Sequence, residues 1–338
     1  MSKKGILLVN LGTPNSPEVP DVKKYLDQFL MDERVIDIPK LNRTLLVKGI
    51  IVPFRSPKTA KLYKEIWKEN GSPLLHFSKI QASMLQAKLG DEYQVELAMR
   101  YQNPSVESAL NKLKDNRVNS IQVIPLFPQY ASASTGSVLQ LVMELVSKWN
   151  TIPNISFINS FHDNEKMIEV FAENAMKHNP SKYDHFLFSF HGIPERQFDK
   201  SNYYGGNYNF RDVAQREVLN DDNQFCYLAQ SYDTARLIAQ KLNIPKENYT
   251  VCFQSRLGKE PWVQPYTTDV LKKLAAEGKK RLLVFSPAFV ADCLETVYEI
   301  TVEYHEEFQA LGGEKVQLVE SLNDHPKFID ALVDLIKK

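Results

Sequence analysis

The stretch Phe186-Leu187-Phe188-Ser189-Phe190-His191-Gly192-Ile193-Pro194 is an apolar run closed by a histidine and a Gly-x-Pro step. An earlier stretch, Leu7-Leu8-Val9-Asn10-Leu11-Gly12-Thr13-Pro14, runs the same way. A short, nearly continuous apolar run bounded by turn residues reads as a strand buried on both faces, the mark of a parallel sheet covered by helices. Glycine permits a sharp turn after such a strand, and proline fixes the step that follows. Two strands of this kind, far apart in the chain, read as the leading strands of two similar units.

Outward from these two, strand patterns fall at 6–10, 95–99, 121–126, 155–159, 185–190, 250–253, 282–285 and 316–319. Helical patterns fall between them, at 22–31, 57–68, 77–89, 106–114, 139–149, 233–242, 266–276 and 295–308. The alternation predicts an α/β fold with parallel sheets flanked by helices. The repeat extends further. Ala98-Met99-Arg100 precedes a helix and then Ile124-Pro125-Leu126-Phe127, as Gln254-Ser255-Arg256 precedes a helix and then Phe285-Ser286-Pro287-Ala288-Phe289. The reading is two domains, 1–150 and 151–321, with a crossover at 149–159; the alternative is one sheet of eight strands. Two like domains leave a cleft between their carboxyl edges, where open α/β sheets hold ligands. Residues 198–226 break the pattern: Tyr203-Tyr204-Gly205-Gly206-Asn207-Tyr208-Asn209 is polar and aromatic without periodicity, and reads as a surface insertion.

A chain of 338 residues has room for two cores. Formal net charge is zero, so nothing points to nucleic acid, and any anion site must be local. Cys226, Cys252 and Cys293 form no Cys-x-x-Cys pair. That argues against a disulfide framework, a zinc finger or a four-cysteine iron–sulfur cluster, and fits a reducing cytoplasm. The start, Met1-Ser2-Lys3-Lys4-Gly5, has no signal-peptide apolar region, and no stretch is long enough to span a bilayer.

His191 is presented at a strand end, where a neutral imidazole can accept a proton or ligate a divalent ion. A core or capping histidine is the ordinary alternative; the Gly-x-Pro context weighs against it. Glu295, Glu299 and Glu303 are four apart on one helical face. Acidic runs usually form a solvated face, but Leu294, Val297, Tyr298 and Ile300 press the same helix toward protein. In a parallel sheet His191 and Glu295 would reach the same carboxyl edge. Carboxylates with an imidazole suit Fe2+ and other first-row ions.

The apolar run Leu45–Phe54 is closed by Arg55 and Lys58. It reads as a buried helix with a polar end, or as a greasy lip with cations placed for a substrate's carboxylates. Pro125-Leu126-Phe127-Pro128-Gln129-Tyr130, Pro261-Trp262 and Phe289 put aromatics just past strand ends, where they could line a flat slot. The 132–137 run, Ser-Ala-Ser-Thr-Gly-Ser, is like a phosphate loop but lacks the Walker pattern, and no GxGxxG occurs, so nucleotide binding is disfavoured.

With these residues in hand, nearly the whole chain resembles the ferrochelatase family, which inserts Fe2+ into a porphyrin at the end of haem synthesis. The matching segments, in the family's order, are Val9-Asn10-Leu11-Gly12-Thr13-Pro14, Arg55-Ser56-Pro57-Lys58, Gly71-Ser72-Pro73-Leu74, Pro128-Gln129-Tyr130, Ser189-Phe190-His191-Gly192-Ile193-Pro194, Phe253-Gln254-Ser255-Arg256, Glu260-Pro261-Trp262 and Ala291-Asp292-Cys293-Leu294-Glu295-Thr296. The resemblance implies two Rossmann-like domains with the porphyrin between them, and a C-terminal segment, 322–338, packing back on the first. It implies that His191 and Glu295 are catalytic, and that His191, Glu295, Glu299 and Glu303 meet the metal. Arg55, Lys58 and Ser72 match positions near the propionates. Arg100, Tyr101, Tyr130, Trp262 and Phe289 match residues lining the porphyrin.

Leu11 stands where coproporphyrin-type members have tyrosine, which points to protoporphyrin IX. Cys293 stands where animal members have a histidine; related cobalt-inserting chelatases favour a second histidine near the carboxylate, so Cys293 also speaks against cobalt insertion. The family's cysteine-rich extension is missing, so no iron–sulfur cluster and no tightly bound cofactor are expected; Fe2+ is a substrate. The remaining expectations are a cytoplasmic enzyme, monomer or homodimer, with transient contact at a membrane surface and no nucleic-acid partner. The other readings are coproporphyrin III or cobalt chelation, and a haem carrier with His191 as axial ligand.

Overall fold

A computed structural model describes residues 3–200, 208–256, 258 and 260–337. Two parallel four-stranded sheets organise the chain, in the orders β2-β1-β3-β4 and β6-β5-β7-β8. The same order appears twice, so the repeat read from the Gly-x-Pro strands is a repeat of topology, and the single eight-stranded sheet is ruled out. The chain divides into two compact units: one takes in the residues through Phe127, Ala131–Ser160 and the segment from Ile329, and the other takes in Pro128–Tyr130 and Phe161–Phe328.

In the first unit, β1 (Lys4–Gly12) leads to α1 (Val19–Leu30), α2 (Lys40–Leu46), a π turn at Val47–Ile51, α3 (Val52–Ile66) and α4 (Pro73–Leu89). Then come β2 (Tyr93–Tyr101), α5 (Val106–Asp115), β3 (Ser120–Pro125), α6 (Ser137–Val146) and β4 (Asn154–Phe157). Ile6 to Val9 are at most 1% exposed, as a strand covered on both faces requires. Leu7 and Val9 of β1 pack with Leu110, Leu113, Ile121, Val123, Val138 and Val142. Ser105 caps α5, its hydroxyl accepting from the Ser108 N–H at 3.1 Å.

The second unit holds α7 (Glu165–Met176), β5 (His185–His191), α8 (Glu195–Asp199), α9 (Val213–Arg216), α10 (Tyr227–Lys241), β6 (Tyr249–Gln254), α11 (Thr267–Ala276) and β7 (Arg281–Phe285). A π-helix, Leu294–Tyr304, follows, then α12 (His305–Ala310), β8 (Lys315–Leu318) and α13 (Pro326–Lys337), whose residues from Ile329 on belong to the first unit. Ile300, Tyr304 and Phe308, four apart, enter the core with Leu187, Leu271, Leu282 and Val284. Gln122 Nε2 donates to the Leu335 carbonyl at 3.4 Å, and Lys88 pairs with Asp330, both within the first unit.

Four expectations need correction. The strand read at 155–159 pairs with β3, Ile121 opposite Ile155, so the first sheet continues past residue 150. The chain is helical without a break from Lys40 to Ile66, where the sequence patterns put a helix at 57–68 and left 45–54 as a buried helix or a lip. Pro53 comes just after the π turn and Pro57 lies inside α3, so both sit within continuous helix, and each leaves a carbonyl of the preceding turn without its N–H donor. The segment 295–308 is mostly π-helix, with i→i+5 bonding, and turns α only at His305. α7 was not foreseen. Residues 201–207 of the expected insertion lie outside the described residues.

Candidate active site

The order β6-β5-β7-β8 reverses between β5 and β7, and ligands of open α/β sheets sit at the carboxyl ends beside such a reversal. β5 ends on His191, and the loop leaving β7 leads through Ala291-Asp292-Cys293 to Glu295. The structure thus brings His191 and Glu295 to one sheet edge, from neighbouring strands.

His191 Nδ1 lies 2.7 Å from the Gly192 carbonyl oxygen. A carbonyl only accepts, so the ring hydrogen is on Nδ1 and the Nε2 lone pair is left for an incoming proton. The Tyr227 hydroxyl donates to the His191 carbonyl at 2.9 Å. A Cβ on Gly192 would fall 2.8 Å from the Gln254 carbonyl oxygen and 3.1 Å from the Trp262 ring, so only glycine fits this close approach. Trp262 is 8% exposed, with its ring centroid 6.4 Å from that of His191. Its Nε1 is buried without a hydrogen-bond partner among the described residues.

Gln254, opposite His191 in the β5–β6 register, joins the two halves of this edge. Its backbone carbonyl accepts from the Gly192 N–H at 2.8 Å and its Oε1 from the Ser189 hydroxyl at 2.7 Å. Its Nε2 donates to the Glu295 carbonyl at 2.9 Å and to Glu299 Oε2 at 3.0 Å. Ser255 adds two donors to Glu299, its N–H at 3.1 Å and its hydroxyl at 2.7 Å, and the Tyr304 hydroxyl adds another at 2.8 Å.

The first turn of the π-helix is tied down separately. Asp292 accepts from the Thr296 hydroxyl at 3.0 Å and from Asn323 Nδ2 at 2.7 Å. The Cys293 thiol is pushed up by burial first and then by Glu295, and stays protonated. Glu295 and Glu299 are half-buried and Glu303 is exposed. The Glu303 carboxyl is raised by partial burial first, then by the charges of Glu299 and Glu306. Glu299, Glu303 and Glu307 line a hollow of about 500 Å³ together with Arg256, Thr267 and Lys272. Among the described residues no trio of His, Cys, Asp or Glu converges as a ready coordination shell.

Phe289 and Tyr130 are half-buried in loops of this unit. The Tyr130 N–H donates to Gln230 Oε1 at 2.6 Å, and its ring meets Phe225 edge-on.

In the first unit, Leu11 is half-buried at the end of β1, next to Gly12, whose φ of +117° and 2.0 Å Cβ approach to the Tyr101 carbonyl exclude a side chain. Tyr101 is wholly buried. Its hydroxyl and Arg100 Nη2 both donate to Asp32 Oδ2, at 2.9 and 2.6 Å. Burial first, then Asp32, raises the Tyr101 hydroxyl, so it stays protonated and has no surface to offer a ligand. Arg100 keeps 16% of its side chain exposed. Ser72 is buried just ahead of α4, while Arg55 and Lys58 stand exposed on α3 and form no ion pair among the described residues. Leu41, Leu45, Ile50 and Phe54 are 58 to 74% exposed, an apolar face on the α2–α3 segment. Sequence reasoning did not single out Gln254, Ser255, Tyr304, Tyr227 or Asp32. Gln254 and Ser255 stand in the sequence repeat and in the family-matching segment Phe253-Gln254-Ser255-Arg256, but neither reading gives them a role.

The model of the ferrochelatase family matches residues 3–338. The ferrochelatase of Legionella pneumophila (strain Philadelphia 1) is 43% identical over 339 residues, covering 99% of each chain. That of Coxiella burnetii (strain Dugway 5J108-111) is 42% identical over 341 residues, covering all of this chain and 94% of the relative. Among solved structures, SirB from Bacillus subtilis with Fe3+ superposes with a TM-score of 0.52 at 13% identity, over 99% of this chain and 94% of that one, a likeness of fold alone. The match over almost every residue, with the His191 and Glu295 segments inside it, places the chain in the ferrochelatase family.

Proposed function

We propose that this chain inserts Fe2+ into protoporphyrin IX with release of two protons, His191 taking the pyrrole protons and Glu295 acting as its partner at the same sheet edge. The observation that carries the assignment is the 2.7 Å contact of His191 Nδ1 with the Gly192 carbonyl: in the neutral ring it holds the hydrogen on Nδ1 and leaves Nε2 to act as a base. Both pyrrole N–H bonds break as the iron becomes bound by all four ring nitrogens, so the macrocycle loses two protons as it gains the dication. Glu295 relays or orients the departing proton, or meets the metal as it arrives. Arg55 and Lys58, exposed and without acidic partners among the described residues, suit the propionate carboxylates. The three cysteines are buried and unpaired, one fewer than the four thiolates a cluster takes.

Among the described residues no helix is long and apolar enough to cross a membrane. The exposed face Leu41, Leu45, Ile50 and Phe54, with Arg55 and Lys58 after it, supports a cytoplasmic enzyme that visits a membrane surface.

An anaerobic assay with Fe2+ and either protoporphyrin IX or coproporphyrin III tests the reading. Protoporphyrin should be the better substrate, in keeping with Leu11. His191→Ala should lower turnover by about 10²–10⁴-fold with the fold intact by circular dichroism. A variant with near-normal turnover would sink the base assignment, and a clear preference for coproporphyrin would sink the substrate assignment.

A further inference from the structure

The acidic ladder is interrupted at its middle rung. Four donors converge on Glu299, two on each oxygen: the Ser255 N–H and Tyr304 hydroxyl on Oε1, the Gln254 amide and Ser255 hydroxyl on Oε2. A carboxylate has about four lone-pair positions, so a cation could bind there only by expelling donors. The donors are also held in place. Ser255 brings both its groups to Glu299 by adopting φ of 65°, a left-handed conformation uncommon outside glycine. Tyr304 is fixed in the core, packed with Ile300 and Phe308.

The arrangement reaches the proposed catalytic pair through Gln254. That residue grips Gly192 through its backbone and the Glu295 carbonyl through its amide, and Glu299 holds the amide in that orientation. We propose that Gln254, Ser255, Glu299 and Tyr304 form a clamp that sets Glu295 against His191, with Glu299 a positioning residue and not a ligand on the metal's way in. The proposal rests on the assignment of His191 and Glu295 above.

The test uses the full chain, with Fe2+ and protoporphyrin IX varied independently, in Glu299→Gln and Tyr304→Phe. Tyr304→Phe removes a donor to the clamp and no candidate metal ligand. Both variants should lower kcat by about 10–100-fold, as a misplacement near 1 Å does, with the KM for Fe2+ essentially unchanged. The clamp is overturned if Glu299→Gln raises the Fe2+ KM and keeps kcat at saturating metal while Tyr304→Phe behaves as the parent. It is equally overturned if both variants turn over normally. Should Glu299→Gln fail to fold, Tyr304→Phe, which keeps the ring in the core, decides alone. A fully active His191→Ala would remove the catalytic assignment by itself, whatever the clamp variants do.

Discussion

Two histidines sit at opposite ends of one strand with different surroundings. His191, at the carboxyl end of β5, was legible because a Gly-x-Pro step after an apolar run presents the side chain that precedes it. His185, at the other end, gave no such signal, because its state depends on partners distant in sequence. It is 5% exposed, 2.9 Å from the Thr250 hydroxyl. Its pKa is lowered to about 4, by burial first and then by the nearby Lys279 charge. The folded value therefore lies below the usual 6.5. Between those two values the unfolded chain takes up a proton that the fold refuses, so stability is lost as pH falls through that window. The loss should be on the order of 2 kcal/mol once partial solvent screening is allowed for. His185→Gln should flatten the acid limb of a denaturation-midpoint profile between pH 6.5 and 4. An acid limb as steep as the parent's would show that another group is responsible.

At the scale of elements, the acidic spacing was legible and the kind of helix was not. Intervals of four place Glu295, Glu299 and Glu303 on one side in either helix type, and Ile300, Tyr304 and Phe308 on another. The contacts that accompany the i→i+5 bonding are tertiary: Asp292 tied to Asn323, Gln254 and Ser255 reaching in from β6, and Tyr304 seated in the core. None of these leaves a periodic trace. The two ends of the element then differ in environment, half-buried at Glu295 and exposed at Glu303. Glu295→Gln should abolish nearly all turnover, roughly 10²-fold or more. Glu303→Gln should mainly raise the Fe2+ concentration needed for half-maximal rate. Steady-state kinetics in Fe2+ separate the two, and equally small effects at both positions would mean that the acidic stripe is a solvated face and nothing more.

For the molecule as a whole, the doubled strand order could be read from the repeat, but the limits of the units could not. β4 has only four residues and is half-exposed in alternation, so nothing in its sequence says which sheet it joins; the β3 ladder decides. The apolar run at 45–54 was likewise ambiguous, since Val47 and Val52 are buried while Leu45, Ile50 and Phe54 are not. Co-sedimentation with anionic lipid vesicles should fall several-fold in Leu45→Ser/Phe54→Ser, with activity on detergent-solubilised porphyrin retained; unchanged sedimentation would show that this face does not meet lipid. The first unit is also discontinuous, with its last piece beginning at Ile329. On the ribosome, at about 5–20 residues per second, some 10–30 s separate its first 160 residues from that final helix. The half that is made first must therefore wait, with part of its apolar surface uncovered, until the half that carries His191 has been synthesised.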